Sequence, residues 1–133
     1  MRETEMERNI KRHGISVAIN FVVSDEDIDD IMSAALDGGI TYWCGRAEVV
    51  GKYLGEYASE QISRGGTLKL YDIEDGSMFE LTLDKFLVGL RLWIENERDF
   101  VLTDAGRLDV GQIDAAAADT IIQYALFCDI VYG

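Results

Sequence analysis

Residues 67–83, TLKLYDIEDGSMFELTL, decide the fold class of this chain. Leu68 and Leu70 alternate with residues of the opposite face, which is typical of a strand with one buried side. The dipeptide Asp75-Gly76 follows, and Asp-Gly is a strong hairpin signal because glycine accepts the positive φ of a tight turn. Residues 78–83 then return as a second strand. The stretch therefore predicts an antiparallel hairpin at 67–83.

One further strand and three helices are predicted around this hairpin. Segment 15–23, ISVAINFVV, is rich in β-branched residues and lies between Gly14 and Ser24, which predicts a strand. Apolar residues at helical spacing predict helices at 25–36, 84–96 and 115–127. Segment 100–102 is interpreted as a short strand or an extended piece, with which 108–110 could pair. A hairpin with segregated helices favours an α+β fold over a doubly wound parallel sheet. We expect a charged, mobile arm at 1–14 and a single α+β domain at 15–133.

The first helix begins with an unusually acidic turn. Ser24 and Asp27 have the spacing of a capping box, and the acidic residues favour the positive end of the helix dipole. A calcium loop is a poor alternative, since the position that requires glycine is Asp30 and the final ligand position is Leu36. We therefore interpret these acids as a helix start that presents an acidic surface. Its members are Asp25, Glu26, Asp27, Asp29 and Asp30.

The charge of the chain narrows the range of partners. The 133 residues include 12 basic and 25 acidic ones, for a net charge of −13. The arm at 1–14 is slightly basic, so the rest of the chain is more acidic still. Such a body repels nucleic acid and anionic lipid, and it attracts a basic protein surface. We expect a protein partner, no direct nucleic-acid binding, no membrane association and a cytoplasmic location. Acidic residues spaced like phosphates would suit a DNA mimic, and their distribution in this sequence neither supports nor excludes one.

Cofactor and metal chemistry finds little support in the sequence. Cys44 and Cys128 have no zinc-motif spacing, and His13 is the single histidine. A nucleophile activated by histidine would have to use that residue, which lies in the charged arm. Gly38-Gly39 and Gly65-Gly66 lack the lysine and spacing of a phosphate loop. We expect no cofactor and no metal, and we predict no catalytic residues.

The stretch 38–44, GGITYWC, contains the most varied side chains of the sequence. Tyr42 and Trp43 either fill core volume or form an exposed contact, and burial decides between the two. Cys44 is interpreted as a small buried hydrophobe. Together with later polar positions, this stretch gives a set of candidate binding residues. They are Tyr42, Trp43, Arg46, Tyr57 and Arg64.

A family resemblance adds a biological context. The runs 38–44, 55–66 and 121–132, together with Asp29-Asp30-Ile31, resemble a family of small acidic proteins of bacteriophages and integrated mobile elements. The resemblance covers most of residues 24–133 and leaves out the N-terminal arm. It brings no established activity or catalytic residues with it. It implies an accessory protein that binds host or phage proteins.

Three classes of function follow from the sequence. The first is a non-enzymatic accessory protein of a phage or mobile element that binds a protein through its acidic surface, in one version as an inhibitor of a host protein. The second is a small-molecule-binding protein or enzyme with a pocket near Tyr42, Trp43 and Arg46. The third is a self-associating structural protein, in which apolar residues of helix 84–96 and of segment 130–132 form a homodimer contact.

Overall fold

The computed structural model describes residues 11–18, 20–97 and 109–133, which form an α+β fold as predicted. Three α-helices and a three-stranded antiparallel sheet lie within these residues. The helices are α1 (Asp25–Ala34), α2 (Leu83–Asn96) and α3 (Ala115–Phe127), and the strands are β1 (Cys44–Val49), β2 (Leu68–Asp72) and β3 (Met78–Leu81). Short 3-10 turns occupy Ala58–Glu60 and Val110–Gln112. Strand 100–102 and residues 1–10 of the predicted arm lie outside the described residues, and Val110 begins a 3-10 turn instead of a strand.

The hairpin prediction is confirmed. Strands β2 and β3 pair antiparallel from Leu68–Leu81 to Tyr71–Met78, and Gly76 has the positive φ of 72° that the turn requires. Leu68, Leu70 and Leu81 are buried, so the alternation of the sequence marks the face that contacts the helices. Asp72 closes the turn, since its carboxylate accepts the backbone N–H groups of residues 74 and 75.

The third strand of the sheet is β1. The prediction of a strand at 15–23 is wrong for the described residues of that segment. Among the described residues of that segment, only Val22 forms an isolated bridge, and the side chain of Ile15 is 87% exposed. Strand β1 pairs antiparallel with β2, with an irregularity between Cys44 and Arg46. β-branched residues favour a strand only where a neighbour completes the ladder. The edge of β2 is occupied by β1 instead.

Helix α1 begins as predicted and ends differently. The capping box is present: Asp27 N–H donates to Ser24 Oγ, and Ser24 N–H donates to the Asp27 carboxylate, both at 3.0 Å. The α-helix ends at Ala34, two residues before the predicted end, and continues as a π-helical turn, Ala35–Gly39. Gly39 lies against α3, where a Cβ would come within 2.5 Å of the Ala115 carbonyl oxygen. This close approach fixes the start of the stretch 38–44 against α3.

The core lies where α3 meets α2, the π-helical turn and the sheet. Helices α2 and α3 pack closely because Gly89 has no side chain: a Cβ there would lie 2.6 Å from Ala125 N and from Ile121 O. Phe86, Ile121 and Ile122 are fully buried around this contact. Within the described residues, no helix has both the length and the apolar character that crossing a bilayer requires.

Candidate functional site

A buried carboxylate on α3 organises the stretch that contains Tyr42 and Trp43. Asp119 is buried, and its two oxygens accept the Trp43 indole N–H at 2.8 Å and the Tyr42 hydroxyl at 2.7 Å. The Gln123 amide, one helical turn later, donates to the same carboxylate at 3.1 Å. Hydrogen bonds from several donors allow a carboxylate to be buried in an otherwise apolar helix. Asp119 therefore fixes residues 42 and 43 against α3.

Gln123 holds the C-terminal segment against the same site. Its side-chain oxygen accepts the backbone N–H groups of Val131 and Tyr132 at 2.7 and 2.8 Å, and its amide nitrogen donates to the Tyr132 carbonyl oxygen at 3.2 Å. The segment reverses direction at Cys128, which caps α3 in the left-handed conformation with φ of 57°. The Gln123 side chain thus satisfies backbone groups of residues 131 and 132 that would otherwise need a neighbouring strand.

An aromatic cluster covers the other side of Trp43. The Tyr132 ring stacks on the indole with centroids 4.6 Å apart and an interplanar angle of 2°. Phe79 and Phe127 meet Trp43 edge-on, each with a centroid separation of 6.4 Å. The Tyr132 hydroxyl donates to Asp72 Oδ2 at 2.5 Å, which joins the C-terminal segment to the hairpin turn.

Four side chains of this region, Tyr42, Cys44, Asp72 and Tyr132, have shifted pKa values. Burial, with the hydrogen bond to Asp119, raises the pKa of Tyr42 to about 12. The hydrogen bond to Asp72, with burial, raises the pKa of Tyr132 to about 12, and the same bond lowers the pKa of Asp72. Burial raises the pKa of the Cys44 thiol. At neutral pH the phenols and this thiol stay protonated, so they supply neither a general base nor a thiolate nucleophile.

The five candidate binding residues divide between two regions. Trp43 is 3% exposed and belongs to the core, whereas Tyr42 is 53% exposed. Both line a cavity of about 280 Å³. Arg46 is not among its lining residues: it lies on β1, with its guanidinium 4.1 Å from the centre of the Tyr71 ring. The remaining two candidates, Tyr57 and Arg64, lie beyond the other end of β1.

That second region is the loop 50–57, which presents large side chains to solvent. Tyr53, Leu54 and Tyr57 are 57%, 42% and 62% exposed. The loop is nevertheless anchored: the buried Gln61 side chain accepts the Leu54 N–H at 3.0 Å and donates to the Lys52 carbonyl oxygen at 3.3 Å. Of this loop, only Tyr57 is among the five candidate binding residues predicted from the sequence. The close spacing of Tyr53, Leu54 and Tyr57 was the available signal.

A second anchor holds the end of the loop. Glu60 Oε1 accepts the N–H groups of Glu56 and Tyr57 at 2.7 and 2.9 Å. The hydrogen bond from Tyr57, followed by the smaller effect of that from Glu56, lowers the pKa of the Glu60 carboxyl group. The anchor therefore stays ionised at neutral pH.

The predicted acidic surface continues from α1 towards this loop. Asp25, Glu26 and Asp30 are exposed, whereas Asp27 and Asp29 are half-buried. Asp29 accepts the Ser63 hydroxyl at 2.6 Å and lies 3.6 Å from the Arg64 guanidinium, which also donates to the Glu60 carbonyl oxygen at 3.2 Å. Arg64 is thus engaged in joining α1 to the base of the loop.

The described residues contain no group of three or more His, Cys, Asp or Glu side chains placed to hold a metal ion. Comparisons with protein-family models, with curated proteins and with solved structures find no match for this chain. The candidate functional regions are therefore the buried Asp119 site and the loop 50–57.

Proposed function

We propose that this chain is a non-enzymatic protein-binding protein that docks through the loop 50–57 and the adjacent acidic face of α1. In the context that the family resemblance implies, it acts in the cytoplasm as an accessory protein of a phage or mobile element, for example as an inhibitor of a host protein. The observation that carries the proposal is the exposure of Tyr53, Leu54 and Tyr57 on an anchored loop.

The loop has the properties of a contact surface. Tyrosine is enriched among the residues that dominate binding energy in protein interfaces. A loop that is ordered before binding loses less conformational entropy on association. Gln61 and Glu60 supply that order through four hydrogen bonds to the loop backbone. Large exposed side chains on a fixed backbone favour recognition of a folded protein surface.

The charge beside the loop favours a basic partner. Exposed Glu26 and Asp30 lie on α1, and Asp29 connects that helix to Ser63 and Arg64 at the base of the loop. Acidic side chains at the rim of an interface accelerate association with a basic surface and make it sensitive to salt. We therefore expect a partner with an apolar centre and a basic rim.

An affinity capture from bacterial lysate tests the proposal. The immobilised full chain should retain a specific protein at low salt, and retention should fall as salt rises. The double variant Tyr53→Ser, Tyr57→Ser should lose that protein. The matched control Val88→Ser also removes an exposed apolar side chain, from α2, and should keep it. An empty capture at low salt, or equal retention by the double variant, would refute the proposal.

Self-association is a second candidate, favoured by an apolar groove on α2. A cavity of about 430 Å³ is lined by the apolar residues Leu87, Leu90 and Ile94 of that helix together with Phe21 and Val23. Its polar lining residues are Asn20, Arg91 and Glu95. Leu87 and Val88 are exposed, as are Ile130 and Val131 in the C-terminal segment. Light scattering at high protein concentration distinguishes this candidate, since a monomer there would count against it.

A further inference from the structure

The cavity beside Tyr42 lies at the end of the sheet where β2 turns towards β3. The C-terminal segment closes one side of it, because Tyr132 stacks on Trp43 and its hydroxyl reaches Asp72. The cavity has a volume of about 280 Å³, which suits a group of a few heavy atoms. It contains no residue of the loop 50–57, so it is separate from the proposed docking surface.

The lining of the cavity combines aromatic and acidic groups. The lining includes three aromatic residues, Tyr42, Trp43 and Tyr132. It also includes two carboxylates, those of Asp72 and Glu74. Within the part of the chain that the structure describes, none of the lining residues is basic. The carboxylate of Asp72 accepts the Tyr132 hydroxyl and two backbone N–H groups, which favour its charged form. Glu74 is exposed at the rim. The cavity therefore places two carboxylates beside the half-exposed ring of Tyr42, whereas the buried Trp43 ring stacks against Tyr132.

We propose that this cavity binds an organic cation, namely an alkylammonium group. Aromatic rings attract such cations through their electron-rich faces, and neighbouring carboxylates add a direct electrostatic attraction. A metal ion would need more oxygen ligands than the two carboxylates supply, one of which already accepts three hydrogen bonds. The group belongs either to a free small molecule or to a lysine side chain of a peptide, and the experiment separates these sources.

A nuclear magnetic resonance titration of the full chain tests the proposal. The indole N–H of Trp43 reports on the cavity, and that of Trp93 in α2 serves as an internal reference. Tetramethylammonium chloride should shift the signals of Trp43, Ile73 and Gly133 saturably, whereas sodium chloride and the neutral tert-butanol should not. A second arm uses the peptide Gly-Lys-Gly and its lysine-acetylated form. If Gly-Lys-Gly binds more tightly than both its acetylated form and tetramethylammonium, the site is assigned to a lysine side chain of a protein. If tetramethylammonium binds more tightly than the peptide, the site is assigned to a small molecule.

Two variants locate the site. Glu74→Gln should weaken binding about fivefold, the order expected from loss of one charge at contact distance in water. Tyr42→Leu should weaken it by a similar factor or more, because it removes one ring. Glu80→Gln on β3 changes the net charge equally outside the cavity and should leave binding unchanged. Absence of saturable shifts in both arms, equal binding of tert-butanol, or equal weakening by Glu80→Gln would overturn the proposal. Circular dichroism confirms that each variant is folded.

Discussion

Replacement of Asp119 by alanine should destabilise the protein strongly. The change leaves the buried Trp43 indole N–H without its acceptor at 2.8 Å, and it removes the acceptor of the half-exposed Tyr42 hydroxyl at 2.7 Å. A hydrogen bond to a charged group contributes about 1.5–3 kcal/mol, and an unsatisfied buried donor costs about 1–3 kcal/mol. Because the Tyr42 hydroxyl can turn to water, we assign most of the loss to Trp43. The expected decrease in the free energy of unfolding is about 3 kcal/mol.

Urea denaturation followed by circular dichroism measures this loss. With a slope of about 2 kcal/mol per molar urea, the midpoint should fall by about 1.5 M. Asp30→Ala removes an exposed acid from α1 and should change stability by less than about 0.5 kcal/mol. A double-mutant cycle of Asp119→Ala with Trp43→Phe should give a coupling energy above about 1 kcal/mol. A loss below about 1 kcal/mol together with a coupling near zero would refute the role assigned to the buried carboxylate.

Three further predictions concern packing, the loop and pH. Gly89→Ala should destabilise by about 2 kcal/mol in urea denaturation, because the new Cβ meets the backbone of α3 at 2.6 Å. Gln61→Ala should accelerate hydrogen exchange of the Leu54 amide about tenfold, since that amide loses its acceptor. Raised pKa values of about 12 for Tyr42 and Tyr132, against 10.0 in the unfolded chain, give a stabilisation that is complete below pH 10 and is lost as pH rises through 12. The decline should be visible in urea midpoints.

Each of these predictions has a control. Gly38→Ala adds the same methyl group where no atom lies within 4 Å, and it should not destabilise; equal effects at both glycines would contradict the packing argument. An unchanged exchange rate at Leu54 in the Gln61 variant would contradict the anchoring of the loop. The double variant Tyr42→Phe, Tyr132→Phe should lose less stability at alkaline pH than the original chain, and identical pH profiles would contradict the assignment.

Local signals account for the elements that the sequence predicts well. Helix α3 begins after Asp114, whose side chain caps it, and ends at Phe127 as the periodicity indicates. The hairpin follows from alternation and from the turn at Gly76. The third strand depends instead on which segment reaches the edge of β2, a contact between distant residues that local pattern does not encode. For this reason the prediction of a strand at 15–23, which has the stronger β-branched pattern, is wrong.

The buried polar residues of the site were harder to predict. Asp119 and Gln123 are polar residues one turn apart in a helix of mostly apolar residues, and such positions usually face solvent. They are buried because residues 42 and 43 and the C-terminal segment converge on them, across separations of up to 81 positions along the chain. The signal that could have identified them is that α3 is apolar on nearly all sides, which leaves no solvent-facing stripe for these two side chains.

In the stretch 38–44, Gly39 and Trp43 are buried and have a structural role, whereas Tyr42 is exposed. Gly39 packs against Ala115, Trp43 is enclosed by aromatic rings, and Tyr42 borders the cavity. Because Trp43 is buried and Tyr53, Leu54 and Tyr57 are exposed, the loop 50–57 is the main candidate contact surface.

The affinity of the captured partner for loop variants is the most direct test of the proposed function. One interface hot spot contributes about 2 kcal/mol or more, which corresponds to about 30-fold in affinity. The double variant Tyr53→Ser, Tyr57→Ser should therefore bind at least about 30-fold more weakly than the original chain, even if only one of the two tyrosines is a hot spot. The Val88→Ser control should bind with unchanged affinity. A double variant that binds the partner as tightly as the control would contradict docking through the loop 50–57.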